Sequence, residues 1–212
     1  MREYFRGYDL MPSVTAQYLD LARAGREVEL MRHGDLYPGG SPAYGVASYA
    51  KMATNMVALR ALLGDSLFLR AYREYGRRWR GKHPQPYDFW NSFEDVAGRD
   101  LDWFWRTWWF ETWTLDQAVV GVGQAGGDVE ITVEDRGLAP MPARLAVTRA
   151  DGSVERLEIP VEVWLAGARR HTLTVRSIPA VVRVELDPEQ RFPDADRSND
   201  VWTSTGDSNA GR

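Results

Sequence analysis

Two tyrosines five residues apart, Tyr44 and Tyr49, are the residues whose type and setting best suit chemistry. They lie in the segment AYGVASYAKMATNMVALRALLG, residues 43–64, among small and apolar residues. A phenol has a pKa of about 10, so at pH 7 it stays protonated and can donate a hydrogen bond to negative charge that develops on a reacting oxygen. The other interpretation is that both tyrosines are core aromatics whose hydroxyls bond to backbone groups.

The segment that carries the two tyrosines has the features of one long helix. Ser41 is a good N-cap, Pro42 suits a first helical turn, and Gly64 follows the last apolar residue as a stop signal. Spacing of about 3.6 residues per turn separates the two tyrosines by roughly 140° around the helix. The stripe predicted to be buried consists of Tyr49, Met52, Ala53, Met56, Leu59 and Leu63.

Four more helices are predicted in the first half of the chain from apolar spacing and stop signals. They cover residues 12–24, 66–80, 89–97 and 101–112, and Asp65, Asp88 and Asp100 are the expected N-caps of the last three. The final helix, within DLDWFWRTWWFETW, is apolar on more than one face. An exposed aromatic surface of this size would suit sugar stacking, whereas the i, i+3 spacing of Trp105 and Trp108 favours packing against a common partner.

From Leu115 onward the repeat of apolar residues changes from about 3.6 residues, which is typical of a helix, to 2 residues, which is typical of a strand. Seven short, β-branched segments separated by turn signals are predicted strands: residues 118–122, 129–133, 143–148, 154–159, 161–165, 172–175 and 181–186. Such a series indicates a sandwich of immunoglobulin-like size. The predicted fold class is α+β, with a helical subdomain over residues 1–114, an immunoglobulin-like β-sandwich over 115–200 and a disordered tail over 201–212.

Composition argues against several classes of function. With 26 Lys+Arg against 30 Asp+Glu and no long run of one sign, nothing indicates nucleic acid or an anionic membrane surface as a partner. The absence of cysteine excludes disulfides and thiolate metal sites. No segment approaches the roughly 18 apolar residues of a membrane span, and the N-terminus lacks a signal-peptide core. We expect a soluble chain, periplasmic or secreted only if a signal lies upstream.

Metal binding by this chain alone is not expected. His33, His83 and His171 are isolated from one another, so no pair places two imidazoles on one helical face for zinc. The same scarcity of histidine disfavours a Ser-His-Asp arrangement.

An acidic group near the C-terminus offers a second candidate for metal binding. Asp187, Asp194, Asp196 and Asp200 lack the glycine and terminal glutamate of a calcium loop, and we expect them to be solvated.

The motif Tyr44-x4-Tyr49-Ala50-Lys51, in a helix ending Leu-Leu-Gly-Asp, resembles the tyrosine-bearing helix of the gluzincin zinc aminopeptidases, aminopeptidase N and its relatives. The run KHPQPYDFWNSFEDVAGRDLDWFWRTWWFETW, residues 82–113, is similar to the part of that family in which a helix, a turn and an aromatic helix close the catalytic domain. A β-sandwich often follows there. The resemblance thus implies that the helical subdomain is the C-terminal lobe of a thermolysin-like catalytic domain.

The resemblance also implies an activity, the hydrolysis of peptide bonds with zinc as cofactor. Tyr49 would donate a hydrogen bond to the oxyanion formed when zinc-bound water attacks the scissile carbonyl, and Tyr44 would line the substrate cleft. The family's HExxH segment and following glutamate do not occur in this sequence. The implied partners are therefore a peptide substrate and an upstream, HExxH-bearing part of the same protein. The isolated chain is expected to be inactive, and the alternative is a non-catalytic binding or scaffold module of the same fold.

Overall fold

The computed structural model describes residues 9–204, which fall into two compact units. The helical unit comprises the residues up to Trp113 together with Arg191–Pro193, and the β unit comprises Thr114–Gln190 and the residues from Asp194 onward. Helices followed by antiparallel sheets confirm the predicted α+β class. None of the helices between residues 9 and 204 combines the length and the apolar composition that a membrane span needs.

Within the described residues, the helical unit contains six α-helices, three of which adjoin a π-helical turn. They are α1 (Met11–Arg23), α2 (Ala43–Gly45), α3 (Met52–Leu63), α4 (Asp65–Trp79), α5 (Pro86–Ala97) and α6 (Asp102–Trp105). A π-helical turn, Val46–Lys51, joins α2 to α3, and we call residues 43–63 the tyrosine helix. A second π-helical turn, Arg106–Phe110, extends α6, and we call residues 102–110 the aromatic helix. A short 3-10 turn, Gly34–Leu36, precedes the tyrosine helix.

The helix ends follow the predicted signals in part. Ser41 Oγ accepts the backbone N–H of Ala43 at 3.1 Å, but Pro42, and not Ser41, is the N-cap residue. Asp65 and Asp88 lie inside their helices and are not the N-caps. Instead, Asp88 accepts the backbone N–H of Gln85 at 2.7 Å in a capping box. Gly64, with φ of 77°, joins the tyrosine helix directly to α4.

The buried face of the tyrosine helix is not the predicted one. Of the predicted stripe, Leu59 alone is fully buried, and Tyr49 is 76% exposed. The residues that are buried are mostly small or polar: Ala43, Ala47, Ala50, Lys51, Thr54, Asn55, Ala58 and Leu59. Small side chains allow α1 to approach the helix backbone closely, and size rather than hydrophobicity decided which face turned inward.

Aromatic side chains make the interior of the helical unit where α4, α5 and the aromatic helix meet. Phe93 packs with its ring centroid 5.6 Å from Phe68 and 6.2 Å from Trp105. Trp105 also donates from Nε1 to Glu94 Oε1 at 2.8 Å. Four aromatic residues of the aromatic helix are buried, namely Phe104, Trp105, Trp108 and Trp109. This helix therefore supplies packing, and its buried rings are not a platform for sugars.

Up to residue 204, the β unit is a two-sheet sandwich of seven strands. They are β1 (Gln117–Ala125), β2 (Asp128–Asp135), β3 (Ala143–Arg149), β4 (Val154–Ile159), β5 (Arg170–Arg176), β6 (Val181–Leu186) and β7 (Val201–Thr203). One antiparallel sheet has the order β1-β2-β5 and the other β4-β3-β6-β7. Alternate residues of both sheets, such as Ile131 and Leu145, share one apolar core.

Two predictions for the β half were wrong in detail. Residues 161–165, predicted as a strand, form a short helix, α7 (Val161–Leu165). Its buried residues, Val161 and Trp164, are spaced i, i+3. An apolar run this short fits the repeat of a helix as well as that of a strand. Residues 201–203, assigned to the tail, pair with β6 as strand β7. The rest of the predicted tail, from residue 205, lies outside the described residues.

The acidic residues expected to be solvated are largely buried. Arg197 donates to Asp187 Oδ2 and to Asp200 Oδ2, both at 2.9 Å. Asp194, only 3% exposed, accepts the backbone N–H groups of Gln117 at 2.9 Å and Asp196 at 2.8 Å. The segment preceding β7 is thus tied to the sandwich by charged hydrogen bonds.

We expect Trp105→Ala to lower the free energy of unfolding by about 3–5 kcal/mol, because the change removes a fully buried ring. Urea denaturation measures the loss. Trp103→Ala, at a half-buried position, is the matched control and should cost less. An unchanged midpoint for Trp105→Ala would show that the ring is not part of the core.

Stability should also depend on pH through the buried acids. Burial raises the pKa of Asp194 to about 7 and that of Asp135 to about 6. Because the folded state holds these protons more tightly than the unfolded chain, the contribution of these two groups to stability falls as pH rises from about 4 to 7. For Asp194 the loss between pH 5.5 and pH 8 is on the order of 1–2 kcal/mol.

Urea denaturation at pH 5.5 and pH 8 tests this dependence. Asp194→Asn should reduce the difference between the two pH values, and Asp128→Asn, at an exposed position of β2, should leave it unchanged. Greater stability at pH 8 than at pH 5.5 would contradict the expectation.

Candidate functional site

Tyr49 lies on the π-helical turn of the tyrosine helix, with its phenol directed away from the interior. Its side chain is 76% exposed, although Ala47, Ala50 and Lys51 in the same turn are buried. A π-helical turn adds a residue to the helical repeat and is found frequently at functional sites. The turn therefore presents an accessible hydroxyl from a backbone whose opposite side is packed. The interpretation of Tyr49 as a core aromatic was wrong.

Tyr44, the other predicted site residue, lies on the first turn of the same helix and is 55% exposed. Its ring meets that of Tyr37 edge to face, with centroids 5.1 Å apart. The Tyr37 hydroxyl donates to the backbone carbonyl of Glu29 at 3.2 Å. Burial, and then the neighbouring Tyr44, raise the pKa of Tyr37. The loop before the helix thus supports one side of the Tyr44 ring.

The inner face of the tyrosine helix binds the C-terminal end of the aromatic helix. Lys51 Nζ donates to the carbonyl of Glu111 at 3.0 Å, and Asn55 Nδ2 donates to the carbonyl of Trp108 at 3.2 Å. These carbonyls lie at or just beyond a helix C-terminus, where backbone acceptors lack intrahelical partners and positive charge is favoured. Two polar side chains therefore hold the two helix segments of the site together.

Lys51 is fully buried and forms an ion pair with Glu27, which is also nearly fully buried. Desolvation lowers the pKa of Lys51 and raises that of Glu27, and the attraction between the two charges opposes both shifts. The Lys51 ammonium also lies 5.8 Å from the centre of the Tyr18 ring. Neither Lys51 nor Glu27 was among the predicted site residues.

A signal for Lys51 was present in the sequence. The chain has two lysines among its 26 basic residues, and one of them occurs four residues after Ala47 and three before Thr54, in a helix whose other charged residue is Arg60 in its last turn. That spacing puts the lysine on a face of small residues. No comparable signal identifies Glu27, which lies in an irregular segment and contacts Lys51 through the fold alone.

The residues described by the structure do not match a zinc site. His33 and His83 are exposed, and His171 lies on β5 in the β unit. Across residues 9–204, one group of three acidic or histidine donors lies close together: Glu94, Asp100 and Asp102.

That group is a helix-capping arrangement. Glu94 Oε1 already accepts from the backbone N–H of Leu101 at 3.0 Å and from Trp105 Nε1. Asp100 Oδ1 accepts the backbone N–H of Asp102 at 2.7 Å.

Comparison with known proteins finds matches to one peptidase family and to a solved aminopeptidase structure. Residues 10–108 match the model of the Peptidase family M1 domain. Among solved structures, Legionella pneumophila aminopeptidase A, crystallised in complex with aspartic acid, matches with a TM-score of 0.55 at 16% identity over 72% of this chain. The matched part is 18% of that protein's chain. Among curated protein sequences, none matches significantly. The predicted resemblance to aminopeptidases of this family is confirmed for the helical unit.

We expect the isolated chain to retain no stoichiometric zinc and to hydrolyse no aminoacyl substrate, because its histidines are far apart in sequence and no helical pair is available. Metal analysis after dialysis, with an aminoacyl-arylamide assay on the same sample, checks both expectations. One tightly held zinc ion per chain would contradict them.

Proposed function

We propose, from the match of residues 10–108 to the Peptidase family M1 domain, that this chain is the C-terminal part of a zinc aminopeptidase. Its helical unit forms one wall of the substrate cleft, and the β unit is a scaffold domain. In this proposal Tyr49 donates the hydrogen bond that stabilises the oxyanion during attack on the peptide carbonyl. Tyr44 contacts the substrate.

The observation that carries the proposal is the exposure of Tyr49 on a turn whose other side is packed. A donor aimed at developing charge is effective when it is held in place before the reaction and needs no reorganisation. Tyr49 is followed at once by buried Ala50 and Lys51, so its backbone is fixed although its ring is accessible. A phenol that only completes the core would be inside.

Tyr44 suits a binding role better than a catalytic one. Its edge-to-face contact with Tyr37 restrains the ring near the start of the helix. An aromatic ring that is half exposed and held from one side can pack against an apolar part of a substrate. Tyr49, and not Tyr44, is followed by the Ala50-Lys51 pair that matches the family's tyrosine motif.

Zinc, which the family uses, would polarise the carbonyl and activate water when bound. The donor groups of residues 9–204 do not fit that ion. We therefore assign its ligands to an HExxH-bearing part of the same protein, and the role of this chain is limited to the substrate and the oxyanion. Sequencing the coding region immediately upstream for HExxH and a further glutamate tests this assignment.

The catalytic assignment is tested in the zinc-loaded protein that contains this chain and the HExxH segment. Tyr49→Phe should lower kcat by about 10²–10³, the usual loss for one oxyanion donor, with zinc content and thermal stability unchanged. Tyr44→Phe should act mainly on KM. Tyr72→Phe, at an exposed position of α4, is the control and should change neither constant.

Two other outcomes would replace the proposal. Full kcat in Tyr49→Phe with loss of kcat in Tyr44→Phe would reverse the roles of the two tyrosines. No effect from either, or no HExxH segment upstream, would favour the alternative of a non-catalytic binding or scaffold module.

A further inference from the structure

The buried ion pair between Lys51 and Glu27 lies two residues from Tyr49 and has no role in the proposed chemistry. We propose that this pair positions Tyr49 by fixing the end of the π-helical turn Val46–Lys51. The inference rests on the proposed function, in which the Tyr49 hydroxyl has to meet a substrate oxygen.

The position of Lys51 in the turn is the first support. It is the last residue of the π-helical turn, and α3 begins at the next residue. A single π-helical turn is a local departure from the α-helical hydrogen-bond pattern, so the surrounding packing has to hold it. The inward Lys51 and the outward Tyr49 are separated by Ala50 alone, so movement of one would displace the other.

The contacts of Lys51 supply the restraint. Its ammonium pairs with Glu27 from the segment after α1 and donates to the Glu111 carbonyl beyond the aromatic helix. The ring of Tyr18 on α1 lies against the same ammonium. Contacts from α1, from the segment that follows it and from the end of the aromatic helix thus converge on one atom of the tyrosine helix. A side chain restrained from three directions fixes its own backbone.

Energetics explain why the restraint is firm. Within the described residues, no hydrogen-bond donor other than Lys51 reaches the Glu27 carboxylate. Separating the pair would leave an uncompensated charge on each side of a buried site, which is strongly unfavourable. The turn therefore cannot shift Lys51 outward without a large cost.

The choice of lysine fits this geometry. An ammonium is a compact point charge on a flexible stem and can donate in three directions, whereas a guanidinium is a planar fork. Elsewhere the chain uses lysine once, at Lys82. A site enclosed by a carboxylate, a carbonyl and an aromatic ring suits the smaller cation.

The test separates positioning from simple support of the fold. Lys51→Met alone leaves Glu27 buried without a partner and can unfold the unit, so the main variant is Glu27→Leu combined with Lys51→Met. Replacing both members of a buried ion pair by apolar residues of similar volume is often neutral for stability. Lys82→Met, the same change at the exposed lysine, is the matched control.

The first readout uses this chain alone, with ¹³C-labelled tyrosine rings observed by NMR. In the double variant the Tyr49 ring signals should shift or broaden, because the turn that carries the ring is no longer fixed. The signals of Tyr87, exposed on α5, should not change. Lys82→Met should leave the Tyr49 signals unchanged. Unaltered Tyr49 signals in a folded double variant would overturn the inference.

The second readout is a double-mutant cycle in the complete, zinc-loaded protein. The double variant should lower kcat by about 10- to 100-fold with little change in KM, the size of loss that misplacement of a catalytic group causes. In a Tyr49→Phe background the same two substitutions should cause no further loss of kcat. An equal loss in both backgrounds would mean that the pair does not act through Tyr49.

The cycle also distinguishes this inference from the proposed function. If Tyr49→Phe alone leaves kcat unchanged, the proposed function fails. If Tyr49→Phe lowers kcat and the double variant does not, the positioning role fails and the assignment of Tyr49 stands.

Discussion

The ammonium group of Lys51 has no access to solvent, and a charge in that environment has to be paired. Its partners are Glu27, which precedes the tyrosine helix in the sequence, and the carbonyl of Glu111, which follows it. One side chain therefore joins the segment after α1 to the end of the aromatic helix. Asn55, one turn further on, repeats this pattern by binding the Trp108 carbonyl. The helical unit is therefore held by directional polar contacts in addition to its aromatic core, and those contacts fix which face of the tyrosine helix is inside.

This arrangement reverses the usual distribution of residues on a helix. The inner face carries alanines with Lys51, Thr54 and Asn55, and two tyrosines project outward. Small residues permit close helix approach, and Lys51, Thr54 and Asn55 each form a hydrogen bond with a residue outside the tyrosine helix. The large aromatic rings that remain outside are then available for chemistry or binding. In the proposed enzyme, the packing that excludes Tyr49 from the core also makes it accessible to the substrate.

Buried charge has a similar structural role in the β unit. Arg197 joins Asp187 to Asp200, and Asp194 accepts two backbone N–H groups, so the segment before β7 is fixed to the sandwich. Burial also removes carboxylates from water, and this desolvation raises the pKa values of Asp194 and Asp135. The aromatic core of one unit and the β-branched core of the other are conventional. Each unit also contains buried charged side chains that bind partners distant in sequence.

The sequence by itself determined the α+β class, most helix and strand positions, and the resemblance of the tyrosine segment to an aminopeptidase helix, because period, turn residues and motif spacing are local properties of the chain. It did not determine that residues 161–165 are helical or that Asp187, Asp194 and Asp200 are buried, since short apolar runs fit two periods and acidic residues are normally solvated. The orientation of the tyrosine helix was decided by tertiary structure alone. Hydrophobicity favoured Tyr49 as an inward residue, whereas the close approach of α1 and the pairing of Lys51 with Glu27 required the opposite face. Those contacts join residues distant in the chain, and no local pattern encodes them.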